Sequence, residues 1–178
     1  MIGTIFQKND HDPNAYAIAT DWCDQNLATI EDKGDHYEIV ALPAPTLAEQ
    51  KTYALRRAQI AFAKKRDAIR WVNGYGYDCA PDDITNFMAA YTPLLVAGTG
   101  TTQYKVWLTE TEKAIVTLTA DDMTRVYNTV RTSQFEDYAW YETVRTQIND
   151  AQTEEELASI LREAGIIAAD AGNTEITP

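Results

Sequence analysis

Histidine, cysteine and serine are scarce in this chain of 178 residues, and each shortage removes a class of chemistry. His11 and His36 have no His or Cys companion at ligand spacing, so a zinc site of clustered nitrogen and sulfur ligands is not expected. His36 reads as a surface residue beside a turn. Cys23 and Cys79 are too few and too far apart for a disulfide framework, and buried free thiols are expected. Ser133 and Ser159 are the only serines, and neither lies in a G-x-S-x-G turn. The run Gly98-Thr99-Gly100-Thr101-Thr102 lacks the Gly-Lys-Ser/Thr ending of a phosphate-binding loop.

Long apolar runs are absent too. No stretch approaches the roughly 18 residues of a membrane span. The opening MIGTIFQKND has no basic segment leading into an apolar one, so no secretory signal is expected. Basic charge is short: 15 Lys and Arg face 27 Asp and Glu, for a net charge of −12. Phosphate backbones and anionic membranes repel such a surface, so neither nucleic acid nor membrane is an expected partner. The densest basic run, Arg56-Arg57 followed by Lys64-Lys65-Arg66, reads as a solvated helix face or as a patch for an acidic partner.

Acidic residues are abundant but not arranged for catalysis. Asp78, Asp82 and Asp83, and the run Glu154-Glu155-Glu156, lack the alternation around a central glycine of a calcium loop. Both fit helix starts, where the helix dipole favours negative charge. Glu31, Asp32, Asp35 and Glu38 carry little weight as an acid/base pair among so many acids. No enzyme, cofactor or metal site is expected.

What is present is a globular composition, 45% hydrophobic and 24% charged. Residues 1–42 read as a small αββ unit. Tyr16, Ala19, Trp22, Cys23 and Leu27 recur near helical spacing, and two short strands flank a turn at Asp32–Asp35. Ile2–Phe6 reads as a further short strand. Pro43-Ala44-Pro45 forms a stiff linker.

Residues 46–165 read as a mainly helical domain with one β-hairpin near 104–118, and 166–178 as a weakly ordered tail. Thr46 and Glu49 fit a capping box opening a helix that runs to about Asn73. Ala54, Ala61 and Ala68 repeat every seven residues along it, as do Leu55, Phe62 and Ile69. This stripe reads either as the core face of a small bundle or as a coiled-coil seam for an oligomer or partner. Pro81-Asp82-Asp83 opens a second helix that Pro93 is expected to kink or end. A long helix follows Thr119, its apolar stripe broken at Ser133–Asp137, and a short amphipathic helix follows Thr153.

Ten tyrosines and four tryptophans include Tyr138, Trp140 and Tyr141 on the long helix. Such side chains serve interfaces and cores alike. The candidate protein-interaction residues are therefore Leu55, Phe62, Ile69, Tyr138, Trp140 and Tyr141. The class expected is α+β, a helix-plus-hairpin unit followed by a mainly helical domain.

From about Arg57 to Ile160 the chain resembles a domain-of-unknown-function family of bacteriophage and prophage tail proteins. The resemblance lies in ALRRAQIAFAKKRDAI, the GYGYD turn, Trp107–Thr109, Leu118-Thr119 and the closing Ala151–Leu157. The N-terminal WCDQN and TIEDKGDHYEIV are similar to the leading segment of tail-fibre and tail-fibre assembly proteins. One departure is Thr111-Glu112-Lys113, where the family's hairpin carries an Asp-Asn turn. The resemblance implies a chaperone that binds a tail fibre, or alternatively a structural tail subunit that oligomerises through the 46–73 helix. It implies a tail protein as partner, a homo-oligomer in the alternative case, and the host cytoplasm or the virion tail as location. It brings no catalytic residues.

Overall fold

A computed structural model describes residues 1–8, 12–26 and 28–168. His11, Leu27 and most of the expected tail lie outside them. The chain divides into two compact units, Met1–Thr46 and Leu47–Pro178.

The first unit packs one helix on a three-stranded antiparallel sheet. Its elements are β1 (Ile5–Gln7), α1 (Pro13–Gln25), β2 (Ala28–Asp32) and β3 (His36–Ala41), with strand order β1-β3-β2. The first strand, expected over Ile2–Phe6, begins only at Ile5 and runs to Gln7. Asp12 caps α1 by accepting from the Asn14 amide at 2.9 Å, and Pro13 occupies the first turn, where its missing N–H leaves no bond unmade. The β2–β3 turn is organised by Asp32, whose Oδ1 accepts from the Gly34 amide at 2.8 Å while Gly34 takes a φ of 96°. Phe6, Ala19, Cys23 and Ile39 form the core, with Tyr16 edge-on to Phe6 and to Tyr37.

The second unit contains α2 (Leu47–Arg66), β4 (Arg70–Val72), β5 (Tyr75–Tyr77), α3 (Pro81–Ala97), β6 (Thr101–Trp107), β7 (Lys113–Thr119), α4 (Ala120–Asp150) and α5 (Glu154–Glu163). The four strands pair antiparallel in sequence order. The α+β class holds.

The helix expected to reach Asn73 stops at Arg66, and a tight β4–β5 hairpin takes its place. The cause is local: Asn73 and Gly74 both adopt positive φ, 52° and 84°, the geometry of a two-residue hairpin turn. Ala68 and Ile69 therefore leave the heptad stripe. The expected tail also starts too early: Ile167 is buried and Ile166 packs beside it, the chain turning through Gly165 at a φ of 69°. Pro93 does not end α3, which continues to Ala97 and is capped by Gly98. Pro93 and Ala89 are exposed, so water can serve the carbonyl that the proline leaves unbonded. In the β6–β7 loop, where the resemblance has an Asp-Asn turn, the Thr109 hydroxyl accepts from the amides of Thr111 and Glu112.

α4 joins two cores. Thr119 and Asp122 form its reciprocal capping box. Its first half places Met123, Val126 and Val130 against α3 and the sheet. Its second half places Val144 and Ile148 against Ala54 and Ala58 of α2 and Leu157 and Leu161 of α5. Between the cores lies the polar stretch that broke the stripe. There Arg70 donates to Ser133 Oγ at 2.7 Å and to Asp137 Oδ2 at 2.6 Å. The same guanidinium donates to the carbonyls of Ala68, just past α2, and Lys65, in its last turn, at 2.8 and 2.9 Å. Gln134 Nε2 donates to the Cys79 carbonyl at 3.2 Å, adding a tie to the segment before α3.

Candidate functional site

The fold gathers five of the six candidate interaction residues along the α2–α4 seam. Phe62 stacks on Tyr141 with centroids 4.9 Å apart and meets Tyr138 edge-on at 6.3 Å. Trp140 lies under the Lys65 ammonium at 4.9 Å, and Leu55, Trp140 and Tyr141 pack against the α2–α4–α5 core. Tyr138 remains 52% exposed. Ile69 goes elsewhere, to the outer face of the sheet.

That outer face carries residues the sequence reasoning missed. One face of the sheet is covered by α3 and α4, through Val72, Tyr77, Val106 and Leu118. On the other, the register aligns Trp71, Gly76, Trp107 and Lys113 in one row across all four strands. A Cβ at Gly76 would lie 2.9 Å from Ile69 Cγ2, 3.0 Å from Trp107 Cβ and 3.2 Å from Trp71 Cε2. Glycine alone leaves room for these side chains to close over the strand. Trp71 is 47% exposed, and Ile115, in the neighbouring row opposite Lys105, is 67% exposed.

Trp107 is fixed from two sides. Its indole N–H donates to Asp78 Oδ1 at 2.8 Å, and the Lys113 ammonium sits 4.1 Å from its ring and 2.6 Å from Asp78 Oδ2. Burial works to raise the Asp78 carboxyl, but the hydrogen bonds from Lys113 and Trp107 outweigh it and hold the group below its ordinary value. The hairpin signal Asn73-Gly74, between Trp71-Val72 and Tyr75-Gly76-Tyr77, was the sequence feature that would have revealed this face.

A cleft of about 170 Å³ opens on the covered side, between β5, α3 and α4. Ile84, Phe87, Met88, Val126 and Val130 form its apolar wall, while Tyr77, Asp78, Tyr127, Arg131 and Gln134 complete the lining. Burial pushes the Tyr77 phenol up to about 12, with Asp122 adding to it, and pushes Tyr104 up to about 12, with Asp83 adding. An alkaline titration followed by tyrosinate absorbance should therefore show at least two of the ten tyrosines ionising late, a lag that denaturant abolishes. Because the folded values are raised above the unfolded value of 10.0, the corresponding stability is present below pH 10 and is lost as pH rises towards 12.

Among the described residues, no group of three or more His, Cys, Asp or Glu is placed to hold a metal ion. Cys23 and Cys79 are buried and free, one in each unit. No helix among the described residues is long and apolar enough to cross a membrane.

Residues 52–161 match the family described as Domain of unknown function (DUF4376). The chain belongs to this family. The match covers more than half of the chain, from the first turns of α2 into α5, and so takes in the outer sheet face, the cleft and the α2–α4 seam. The first unit lies outside the matched residues. No curated protein and no solved structure matches the chain. Membership in DUF4376 brings no activity with it and no association with phage tails.

Proposed function

We propose that this DUF4376 protein is a non-catalytic binding protein that acts as an assembly chaperone for a bacteriophage tail fibre. The observation that carries the binding role is the open face of the sheet. Its two cores are filled, yet Trp71 and Ile115 stay exposed beside a tethered Trp107. Exposed aromatic and aliphatic groups on a rigid sheet supply the kind of anchor that dominates protein interfaces. The tail-fibre setting is supported by the sequence resemblance described above.

A second reading, a structural tail subunit, is favoured by the exposed edge of the sheet. β7 is an edge strand of seven residues and offers its unpaired side to strand addition. The α2 stripe itself faces α4 and α5 through Ala54 and Ala58, so an oligomer using α2 would rely on its outward side, where Ile60 is 63% exposed.

Mass spectrometry of purified particles, with infected-cell lysate as the control, separates the two readings. Abundance in the lysate with absence from particles is expected for the chaperone. Fixed stoichiometry in the particle would replace it with the structural subunit. The binding face is tested by Ile115→Glu, which puts a carboxylate opposite Lys105 and so preserves the β6–β7 pair. The variant should melt within a few degrees of the wild type and bind the fibre at least about tenfold more weakly. Unchanged binding would move the interface away from this face.

A further inference from the structure

We infer that the cleft between β5, α3 and α4 is a binding site for a carboxylate attached to a bulky apolar group, with Arg131 as the anion-binding residue. Its volume of about 170 Å³ has room for one ring-sized group, and its wall of Ile84, Phe87, Met88, Val126 and Val130 suits an aromatic or branched aliphatic body. The polar side is supplied mainly by α4. Tyr127 and Arg131 stand one turn apart on that helix and both line the cleft.

The guanidinium of Arg131 makes no ion pair or hydrogen bond among the described residues, and the Tyr127 hydroxyl makes no hydrogen bond there. Elsewhere in this unit, Arg66, Arg70 and Arg145 each hold a carboxylate. Arg131 is thus a cation left unneutralised at the mouth of an apolar cleft, in a chain of net charge −12.

The charge of the head group follows from the lining. Asp78, the carboxylate nearby, is already committed to Lys113 and Trp107. One free guanidinium with one hydroxyl matches a single negative charge, and a carboxylate can take both N–H donors of the planar fork. A doubly charged phosphate would leave its second charge uncompensated beside Asp78. Beyond Arg131, one further turn along α4, Phe135 is 72% exposed and shares a shallower hollow with Arg131 and Thr132. A ligand longer than one residue could continue across that ring.

The same chemistry occurs in a free acid and at the C-terminal residue of a protein chain. Four probes separate the cases: N-acetylphenylalanine, its amide, and a tetrapeptide ending in phenylalanine as free acid or as amide. Binding is read by calorimetry and by amide shifts of α3 and α4 in the full chain. Both free acids should bind at least tenfold more tightly than their amides. Arg131→Gln, at an exposed position whose loss should spare the fold, should remove that preference and leave amide binding unchanged.

A tetrapeptide acid that binds well above N-acetylphenylalanine assigns the site to a chain terminus. Equal affinity assigns it to a small acid. Acids and amides that bind alike, an Arg131→Gln protein that still prefers the acid, or shifts that miss the cleft would each overturn the inference. None of these outcomes depends on whether the protein acts on a tail fibre, so the two readings fail separately.

Discussion

Replacing Arg70 by alanine should destabilise the second unit by about 3 kcal/mol, and so lower its melting temperature by on the order of 10 °C. The size follows from what the guanidinium holds. It bridges Asp137 and Ser133 on α4 to the carbonyl of Lys65 in the last turn of α2 and that of Ala68 just beyond it, with four donor contacts between 2.6 and 2.9 Å. The Arg70 and Asp137 side chains are only 16% and 18% exposed, so solvent screens this pair far less than a surface ion pair. Alanine would leave the Asp137 carboxylate mostly buried without its cation, and would also remove one donor to the Lys65 carbonyl in the last turn of α2.

Urea unfolding followed by tryptophan fluorescence is the measurement, since Trp71, Trp107 and Trp140 all lie in this unit. Asp137→Asn should cost less, because an amide oxygen can still accept from Arg70 and the guanidinium, though without its counter-charge, keeps its bonds to Ser133, Ala68 and Lys65. A midpoint unchanged in Arg70→Ala would mean that the polar belt between the two cores is held by water as well as by protein.

Leu157→Ala should have an effect of similar size by a different route. Leu157 is fully buried where α5 meets α2 and α4, beside Ile148 and Leu161. Truncating a buried leucine costs about 2–5 kcal/mol, as lost transfer energy plus an unfilled cavity. α5 has ten residues and cannot hold its helix alone in water, so its Thr153 cap and its buried stripe must act together. Hydrogen exchange should therefore show α5 losing protection before α3 and the sheet, whose core is formed by other residues. Uniform loss across the unit would instead show that the two cores unfold as one.

The two variants also show which parts of the molecule could be read in sequence. The α5 helix was legible because its signals are contiguous: Thr153 before three glutamates, then Leu157 and Leu161 at helical spacing. The same holds for the helix start after Thr119 and for the turn at Asp32–Asp35. The β4–β5 hairpin was misread although its turn is local, because heptad spacing of Leu55, Phe62 and Ile69 competed with the Asn73-Gly74 signal. Alanine-rich periodicity carries a helix forward on paper, but two adjacent positive φ values cannot be accommodated in one.

The candidate site divides along the same line. That Phe62, Tyr138, Trp140 and Tyr141 belong together could be guessed from aromatic content; that Phe62 stacks on Tyr141 required α2 to lie against α4. The row Trp71, Gly76, Trp107 and Lys113 depends on strand pairing between residues far apart in the chain, and the cleft on three elements meeting. By itself the sequence determined the α+β class, the helix caps, the acidic surface and the scarcity of reactive side chains, since each depends on composition or on a few adjacent residues. Tertiary structure decided where the polar break in α4 goes, which tryptophans stay outside, and that Arg131 faces an apolar cleft unpaired. Those outcomes turn on contacts such as Arg70 with Asp137, 67 positions apart, which no local pattern specifies.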